Sequence, residues 1–364
     1  MSRGWVLTEK YKTKPLSGKT QMQVLFTTVV RGAPVEQGGE LIQLDWDSKT
    51  VINKHPIMPT NPSIHDPNPR GNSRGGRGIE IIGDQIVVAS YHTLKFFDRR
   101  LSPLRDFSHP LMVGLHEIYA HPEGGTKIWV TSTSIDAALQ FDLHREKLTD
   151  QYWPREMPVF QQALGITPLE IDKTADNRLE FLESKHFRGP SHLHLNAVTC
   201  WQGDVYALFP AFGVVANLSK ESIALQAQRI KRAHNLMILP DGIAIINDTY
   251  GRTIRFYDLN TKKLVKAINL RSFPEITQLV HWQYKAYFAI RESLRKMSFP
   301  LSPLPRPFFV RGMDLVGNRL FVGIAPATIV CLDWEQNKLL DLFSYSNNLE
   351  AVVHGIKVID PDSG

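Results

Sequence analysis

The stretch 234–248 reads HNLMILPDGIAIIND, and the rest of the chain can be interpreted from it. His234 opens an alternating apolar run, a Pro-Asp-Gly turn follows at 240–242, and a second apolar run begins at Ile243. Two such runs joined by an Asp-Gly turn are typical of an antiparallel hairpin. The next segment, 254–259, reads IRFYDL and predicts a third strand whose aspartate is suited to a turn into a fourth. The passage therefore predicts a four-stranded antiparallel unit.

The opening phrase of this unit occurs six times along the chain. Each copy begins with a polar residue, continues with a small or polar one and then alternates apolar residues. The six opening residues are Arg77, His116, Asn196, His234, Arg311 and His354. They follow one another at intervals of about 40 or about 80 residues. A repeat of this length with four strands per unit is the pattern of a β-propeller, so the sequence predicts an all-β, six-bladed β-propeller.

These units are expected to form one domain over residues 1–364. One unit is divided between the chain ends: 353–360 supplies one strand and 22–54 supplies the others, which closes the ring and removes its free edges. The other predicted blades are 77–107, 116–150, 194–228, 234–270 and 311–345. The two long intervals hold proline-rich and charged segments at about 151–190 and 271–310, and proline at that density disfavours central strands. We predict two insertions there, with degenerate extra blades as the open alternative. Long loops of this kind are usually lids or binding loops.

The composition limits the classes of partner. Hydrophobic residues make up 43% of the 364, which is ample for a core, and the net charge of +6 suits an anionic ligand without indicating nucleic acid. The segment Met1–Trp5 lacks the apolar core of a signal peptide, and no apolar run is long enough to span a bilayer. We therefore expect a cytoplasmic protein with no membrane partner. Cys200 and Cys331 are expected to be buried thiols without a disulfide. The sequence does not predict the oligomeric state.

The opening residues are expected to form a ring around the propeller axis, because the innermost strand of each blade lies along the central channel. In blade order the ring reads His354, Arg77, His116, Asn196, His234 and Arg311. The histidines fall on alternate blades. Three imidazoles that converge on one axis make a metal site with open coordination positions. We predict a divalent transition metal, Zn²⁺ or Fe²⁺, held by His116, His234 and His354.

The segment 191–196 reads SHLHLN and adds further candidates. If it is a strand, alternation places His192, His194 and Asn196 on one face. His194 would then lie one layer above Asn196 and serve as a fourth ligand, a general base or a substrate contact. Asn196 itself is a candidate substrate-binding residue.

The other two ring positions carry charge. Arg77 and Arg311 can bind a carboxylate or phosphate bidentately, which predicts a small anionic substrate. Alternation is expected to turn Glu117 away from the channel. Tyr91 and Tyr250 follow second strands, and we do not assign them to the site.

Several of these motifs resemble a family of uncharacterised bacterial propellers: His-Leu-Asn at 194–196, Arg-Gly-Met at 311–313 followed by 320–323, and His116 leading to 128–130. The resemblance covers most of the chain and implies a fold without a reaction. The architecture is also similar to the NHL and senescence-marker/gluconolactonase propellers, which place a metal and its substrate at the channel mouth. The alternate-blade histidines resemble the zinc site of peptidyl-hydroxyglycine amidating lyases. The chain departs from those lyases, since it shows neither a secretion signal nor expected disulfides.

Two classes of function follow. The first is a metal-dependent enzyme, a lyase or hydrolase, in which His194 is a ligand or moves a proton, Arg77 and Arg311 bind the substrate, and the insertions cover the mouth. An iron oxygenase is an alternative, because carotenoid-cleaving propellers also use axial histidines. The second class is a non-catalytic scaffold that binds a protein or ligand at one face, as propellers commonly do. The scaffold predicts no bound metal.

Overall fold

The computed structural model describes residues 21–61, 63–64, 74–120, 125–182, 189–297 and 308–360. Among these residues, 24 strands form six four-stranded antiparallel sheets. The innermost strands of successive sheets contact each other, and those of the last and first sheets do so too, which closes the circuit. This confirms the predicted six-bladed β-propeller.

The strands of the first three blades in chain order have these bounds: β1 Gln23–Val30, β2 Glu40–Asp45, β3 Thr50–Pro56, β4 Ile79–Ile82, β5 Gln85–Ala89, β6 Leu94–Phe97, β7 Pro103–Phe107, β8 Leu115–Ala120, β9 Lys127–Ser132, β10 Ala137–Asp142 and β11 Lys147–Tyr152. The remaining strands are β12 Ala197–Trp201, β13 Asp204–Phe209, β14 Val214–Asn217, β15 Ser222–Gln226, β16 His234–Ile238, β17 Ile243–Asp248, β18 Thr253–Asp258, β19 Lys263–Asn269, β20 Val310–Val316, β21 Arg319–Ile324, β22 Thr328–Asp333, β23 Lys338–Ser344 and β24 Ala351–Ile359. Among the described residues the α-helices are α1 Pro158–Leu164 and α2 Pro274–Lys296.

The first three described strands and the last one share a blade, in the strand order β24-β1-β2-β3. β24 is the innermost strand and pairs antiparallel with β1, with Val24 opposite Val358. Thr27 fixes this blade to the next: its hydroxyl donates to the Arg77 carbonyl at 2.7 Å and accepts from the Gly355 N–H at 2.8 Å. The hydrogen bonds of this blade therefore join the first and last described strands and close the ring.

The core lies between neighbouring sheets, where apolar side chains from facing strands meet. Both insertions contribute to it: Phe160 of α1 packs edge-on against Phe209, and Ile276 and Val280 of α2 are buried beside the fifth and sixth blades. In the described parts of the insertions no segment adds a strand to a sheet. The prediction of insertions is thus confirmed there, while 183–188 and 298–307 lie outside the described residues. No described helix combines the length and apolar character needed to cross a membrane.

Three innermost strands, β8, β16 and β20, have β-bulges next to their opening residues. In β16 the pairing changes from His234 with Asn247 to Leu236 with Ile246, which leaves Asn235 as an extra residue with a φ of +53°. β20 has the same irregularity at Gly312, where φ is +73°, and β8 has one between Leu115 and Ile118. A bulge breaks the alternation of side chains. Two successive residues can therefore face the channel, and this geometry shapes the site.

Candidate metal centre and substrate cavity

Three histidines from three blades meet on the axis. His116 lies on β8, His194 in the loop before β12, and His234 at the start of β16, and their nearest ring nitrogens all lie within 4.8 Å of one another. The ring centroids of His116 and His194 are 5.4 Å apart, and those of His116 and His234 are 6.3 Å apart. His116 and His234 are buried and His194 is half-buried. One ion could be reached by all three rings.

Hydrogen bonds fix the tautomers of two of these rings. The Nδ1 of His234 is 2.8 Å from the Thr249 hydroxyl, which itself donates to the Val310 carbonyl at 3.0 Å. The hydroxyl must therefore accept from His234 Nδ1–H, so the Nε2 of His234 keeps its lone pair. This Nε2 is buried and has no hydrogen-bond partner among the described residues. His116 likewise donates from Nδ1 to the Gly114 carbonyl at 3.3 Å. Such outer contacts commonly orient histidines that bind metals.

The environment keeps the imidazoles neutral. Burial, followed by the charges of Arg77 and of neighbouring groups, lowers the pKa of His116 well below its ordinary value. Burial and then Arg311 lower the pKa of His234 in the same way. Burial and then His192 lower the pKa of His194 to about 3. Only the neutral ring offers a lone pair, so these shifts favour the form that binds a cation.

His354 also reaches the axis, but its contacts differ. Its ring centroid lies 5.4 Å from that of His116 and 6.4 Å from that of His234. Its Nε2 is 3.4 Å from Nη1 of Arg77. A guanidinium can only donate, so this nitrogen of His354 is the acceptor and its lone pair is directed toward Arg77. The structure thus brings all four predicted histidines together, with His354 outside the group of three whose ring nitrogens converge.

His194 reaches the axis by a different route from the one expected. Residues 191–196 do not form a strand, β12 begins only at Ala197, and His194 has a φ of +58°. The prediction that alternation places His192, His194 and Asn196 on one face was therefore wrong, because it required a strand over 191–196. His192 instead donates from Nε2 to the Thr133 carbonyl of the third blade at 3.0 Å.

Asn196 and Arg77 lie deep in the channel. Asn196 is buried and donates to the Ala233 carbonyl at 3.0 Å, which connects the fourth blade to the fifth. Arg77 is buried against His354. A cavity of about 530 Å³ opens at the histidine end of the channel. Arg311 lines it, but Asn196 and Arg77 do not, so the structure separates these two candidate substrate residues from Arg311.

Glu117 faces the channel, contrary to expectation. Its Oε1 accepts from Asn235 Nδ2 at 2.9 Å, and it lines a cavity of about 100 Å³ at the other end of the channel with Glu80, Asp314 and Lys357. Burial, followed by the charge of Glu80, raises the pKa of Glu117 to about 8. The expectation failed because the bulge between Leu115 and Ile118 breaks the alternation on which it depended.

The larger cavity opens above the histidines. His194, His234 and Arg311 line it, and so do residues that the sequence analysis did not assign: Arg31, Lys231, Arg232, Tyr250 and Phe309. Arg31 follows β1 in a loop that carries no repeat signal. Tyr250 follows a second strand, a position the sequence does mark but does not distinguish from that of Tyr91.

Arg311 lines this cavity, and its charge acts on His234 more strongly than that of Arg31. Burial lowers its pKa well below the usual range, and Arg31 and Arg77 contribute further. Its Cζ lies 5.5 Å from the ring centroid of Phe309, and its buried Nε has no hydrogen-bond partner among the described residues. No aspartate or glutamate is among the described residues that line the cavity. The arrangement is thus suited to an anion placed beside the histidine cluster.

Fold and site together define a six-bladed β-propeller with a histidine cluster on its axis. No family model and no curated protein matches the chain. A crystal structure of a protein of unknown function from Bacteroides caccae is similar in fold: the TM-score is 0.56 at 10% identity, over 93% of this chain and 99% of that one. The WD40 domain of Neurospora crassa Pan2 matches with a TM-score of 0.45 at 9% identity, over 91% of this chain and 81% of that one. The likeness to the bacterial protein shows a shared fold.

Proposed function

We propose that this protein is a metal-dependent enzyme that binds one divalent transition metal, Zn²⁺ or Fe²⁺, through His116, His194 and His234. Its substrate is a small organic anion, and its reaction is that of a lyase or hydrolase. The single observation that carries the proposal is the fixed tautomer of His234, whose buried Nε2 lone pair is directed away from Thr249 and has no described hydrogen-bond partner.

A cation is the species that suits this donor set. Burying the Nε2 lone pair of the neutral His234 ring without a partner costs free energy, and a bound cation removes that cost. A proton is a poor partner here, since burial and the nearby arginines lower the pKa of each ring. Three histidine ligands leave coordination positions open, which is typical of catalytic rather than structural sites. Imidazole nitrogen suits both zinc and iron.

The residues around the cluster supply binding and orientation. His116, His194 and His234 would hold the divalent ion, which would supply Lewis-acid chemistry when bound. Arg311, with Arg31 beside it, neutralises the anionic group of the substrate and holds it at the inner end of the cavity. His194 is half-buried and borders both the cluster and the cavity, so it connects ligand binding to the substrate position.

Metal content tests the proposal. Untagged protein purified without chelator is analysed by plasma mass spectrometry beside a His116→Ala/His234→Ala double variant. A His144→Ala/His281→Ala variant is the matched control, since it removes two exposed imidazoles. We expect about one transition metal per chain in the wild type and the control, and none in the site variant.

The contrary result is equally clear. If no metal is found in the wild type, even after reconstitution with Zn²⁺ or Fe²⁺, the metalloenzyme proposal is wrong. The alternative is then a propeller that binds a ligand or protein through its cationic cavity without catalysis.

We also propose that the protein is cytoplasmic. The two unpaired cysteines, Cys200 and Cys331, support this location.

A further inference from the structure

The cations of the cavity occupy two separate positions. Arg31 and Arg311 approach the ring of Phe309, with Cζ atoms 6.0 and 5.5 Å from its centroid. Arg232 approaches the ring of Tyr250, at 5.1 Å. The two rings contact each other, with centroids 5.3 Å apart at an interplanar angle of 65°. An aromatic pair therefore separates an inner cationic position beside the histidines from an outer one.

The aromatic rings orient the guanidiniums for binding. An arginine that lies against an aromatic ring keeps its N–H edge available for bidentate contact with a carboxylate or phosphate. Lys231, which precedes Arg232 in the chain, also lines the cavity. Four cationic side chains line the cavity, and its described lining residues include no aspartate or glutamate. Their mutual repulsion is lowest when the ligand supplies more than one negative charge.

We propose that the ligand of this cavity is a compact organic dianion, with one anionic group held by Arg31 and Arg311 and the other by Arg232 and Lys231. Dicarboxylates and phosphorylated carboxylic acids belong to this class. A volume of about 530 Å³ is in the range of small-molecule sites. The inference rests on the proposed function, because the inner anionic group is the one that would be placed beside the metal.

Isothermal titration calorimetry with simple probes tests the inference. Malonate, succinate, glutarate and adipate are compared with butyrate, which has one carboxylate on a chain of similar size. A second charge-assisted contact is worth about tenfold or more in affinity, so we expect at least one dicarboxylate to bind about tenfold more tightly than butyrate. Arg232→Gln should remove this preference and leave butyrate binding unchanged. Arg311→Gln should weaken both probes.

Arg229→Gln is the control, because Arg229 is an exposed arginine of the same segment that does not line the cavity. Equal binding of butyrate and all dicarboxylates, no saturable binding of any probe, or an equal loss in Arg229→Gln and Arg232→Gln would each overturn the inference. The titrations are repeated on chelator-treated protein. If the chelator-treated protein still prefers a dicarboxylate to butyrate, the cavity assignment is supported independently of the metal. A failure of the metal proposal and a failure of this inference therefore give different results.

Discussion

Asp136 accepts hydrogen bonds from the backbone on both sides of His194. Its Oδ2 is 2.9 Å from the Leu193 nitrogen, and its Oδ1 is 3.3 Å from the Leu195 nitrogen. Asp136 belongs to the third blade and is 1% exposed, whereas His194 belongs to the fourth blade and has a φ of +58°. A left-handed conformation is unfavourable for histidine unless its surroundings hold it. The carboxylate therefore positions a proposed metal ligand from the neighbouring blade.

Replacement of Asp136 by Asn should weaken metal binding while the propeller remains folded. The amide keeps the shape but can accept only through one oxygen, so one backbone N–H beside His194 loses its partner. Loss of an outer-shell contact typically lowers metal affinity 10–100-fold. Competition with a chromophoric chelator measures the affinity, and circular dichroism checks the fold. Asp241→Asn, an exposed turn aspartate, is the control. An unchanged affinity in Asp136→Asn would refute the positioning role.

Substitution of His354 should affect metal binding less than substitution of His116 or His234. The Nε2 of His354 is directed toward Arg77, whereas the Nε2 of His234 has no described partner. We expect His354→Gln to retain about one metal per chain, and His234→Gln to lose it. The sequence-based prediction that His354 is a ligand is tested by the same pair of variants. Loss of the metal in His354→Gln, measured by plasma mass spectrometry, would show that Arg77 moves aside and that the ring binds the ion.

Thr249→Val should lower metal affinity about tenfold, since His234 loses the acceptor of its Nδ1–H. Valine has nearly the same shape, so the ring is freed to rotate without a large cavity. The Val310 carbonyl also loses its donor, which costs about 1–3 kcal/mol of stability. Thr253→Val is the matched control, because it removes a buried hydroxyl of the same hairpin that contacts Gly251 instead of a histidine. Equal affinities in the two variants would contradict the orienting role of Thr249.

The repeat could be predicted from sequence because its signals are local. Gly-Asp, Asp-Gly or Gly-Asn turns between β-branched or aromatic runs mark the first hairpin in several blades, as at 240–242 and Gly317, and β strands do occupy those runs. The ring of opening residues follows from symmetry, which is why His116 and His234 could be paired on the axis without coordinates.

The remaining site residues depend on contacts between distant segments. A bulge exists only relative to its partner strand, so the sequence gives no direct signal for the channel-facing position of Glu117. His194 is held by Asp136 of another blade, and the alternation rule does not apply to its loop. Arg31 lies in a loop, and its own backbone N–H donates to the carbonyl of Glu350, more than three hundred residues away in sequence. Such residues can be assigned to the site only from the folded structure, in which the distant segments are in contact.

Gly312→Ala should destabilise the protein by more than Gly317→Ala does. Gly312 is the bulge residue of β20, with a φ of +73°, and an added Cβ would lie 3.0 Å from the His354 carbonyl oxygen. Gly317 has a φ of +56° in a turn, with nothing within 4 Å of an added Cβ. The turn variant is expected to cost about 1 kcal/mol through backbone strain alone, and the bulge variant about 1–3 kcal/mol. Urea denaturation measures both, and equal costs would contradict the close approach of the two innermost strands.

His92 should make the protein less stable as the pH falls. Burial, followed by the charges of Arg178 and Lys95, lowers the pKa of His92 to about 4. Between pH 6.5 and 4 the unfolded chain binds a proton at this residue and the folded chain does not, so stability is complete above pH 6.5 and declines toward pH 4. The decline attributable to His92 reaches about 3 kcal/mol, since each pH unit corresponds to about 1.4 kcal/mol.

His92→Gln removes this contribution, whereas His144→Gln, at an exposed position, serves as the control. Urea denaturation at several pH values should show the stability difference between wild type and His92→Gln shifting in favour of the variant by about that amount. A difference that stays constant from pH 7 to 4 would mean that the folded protein protonates His92 as readily as the unfolded chain does, so that its pKa is not depressed by burial.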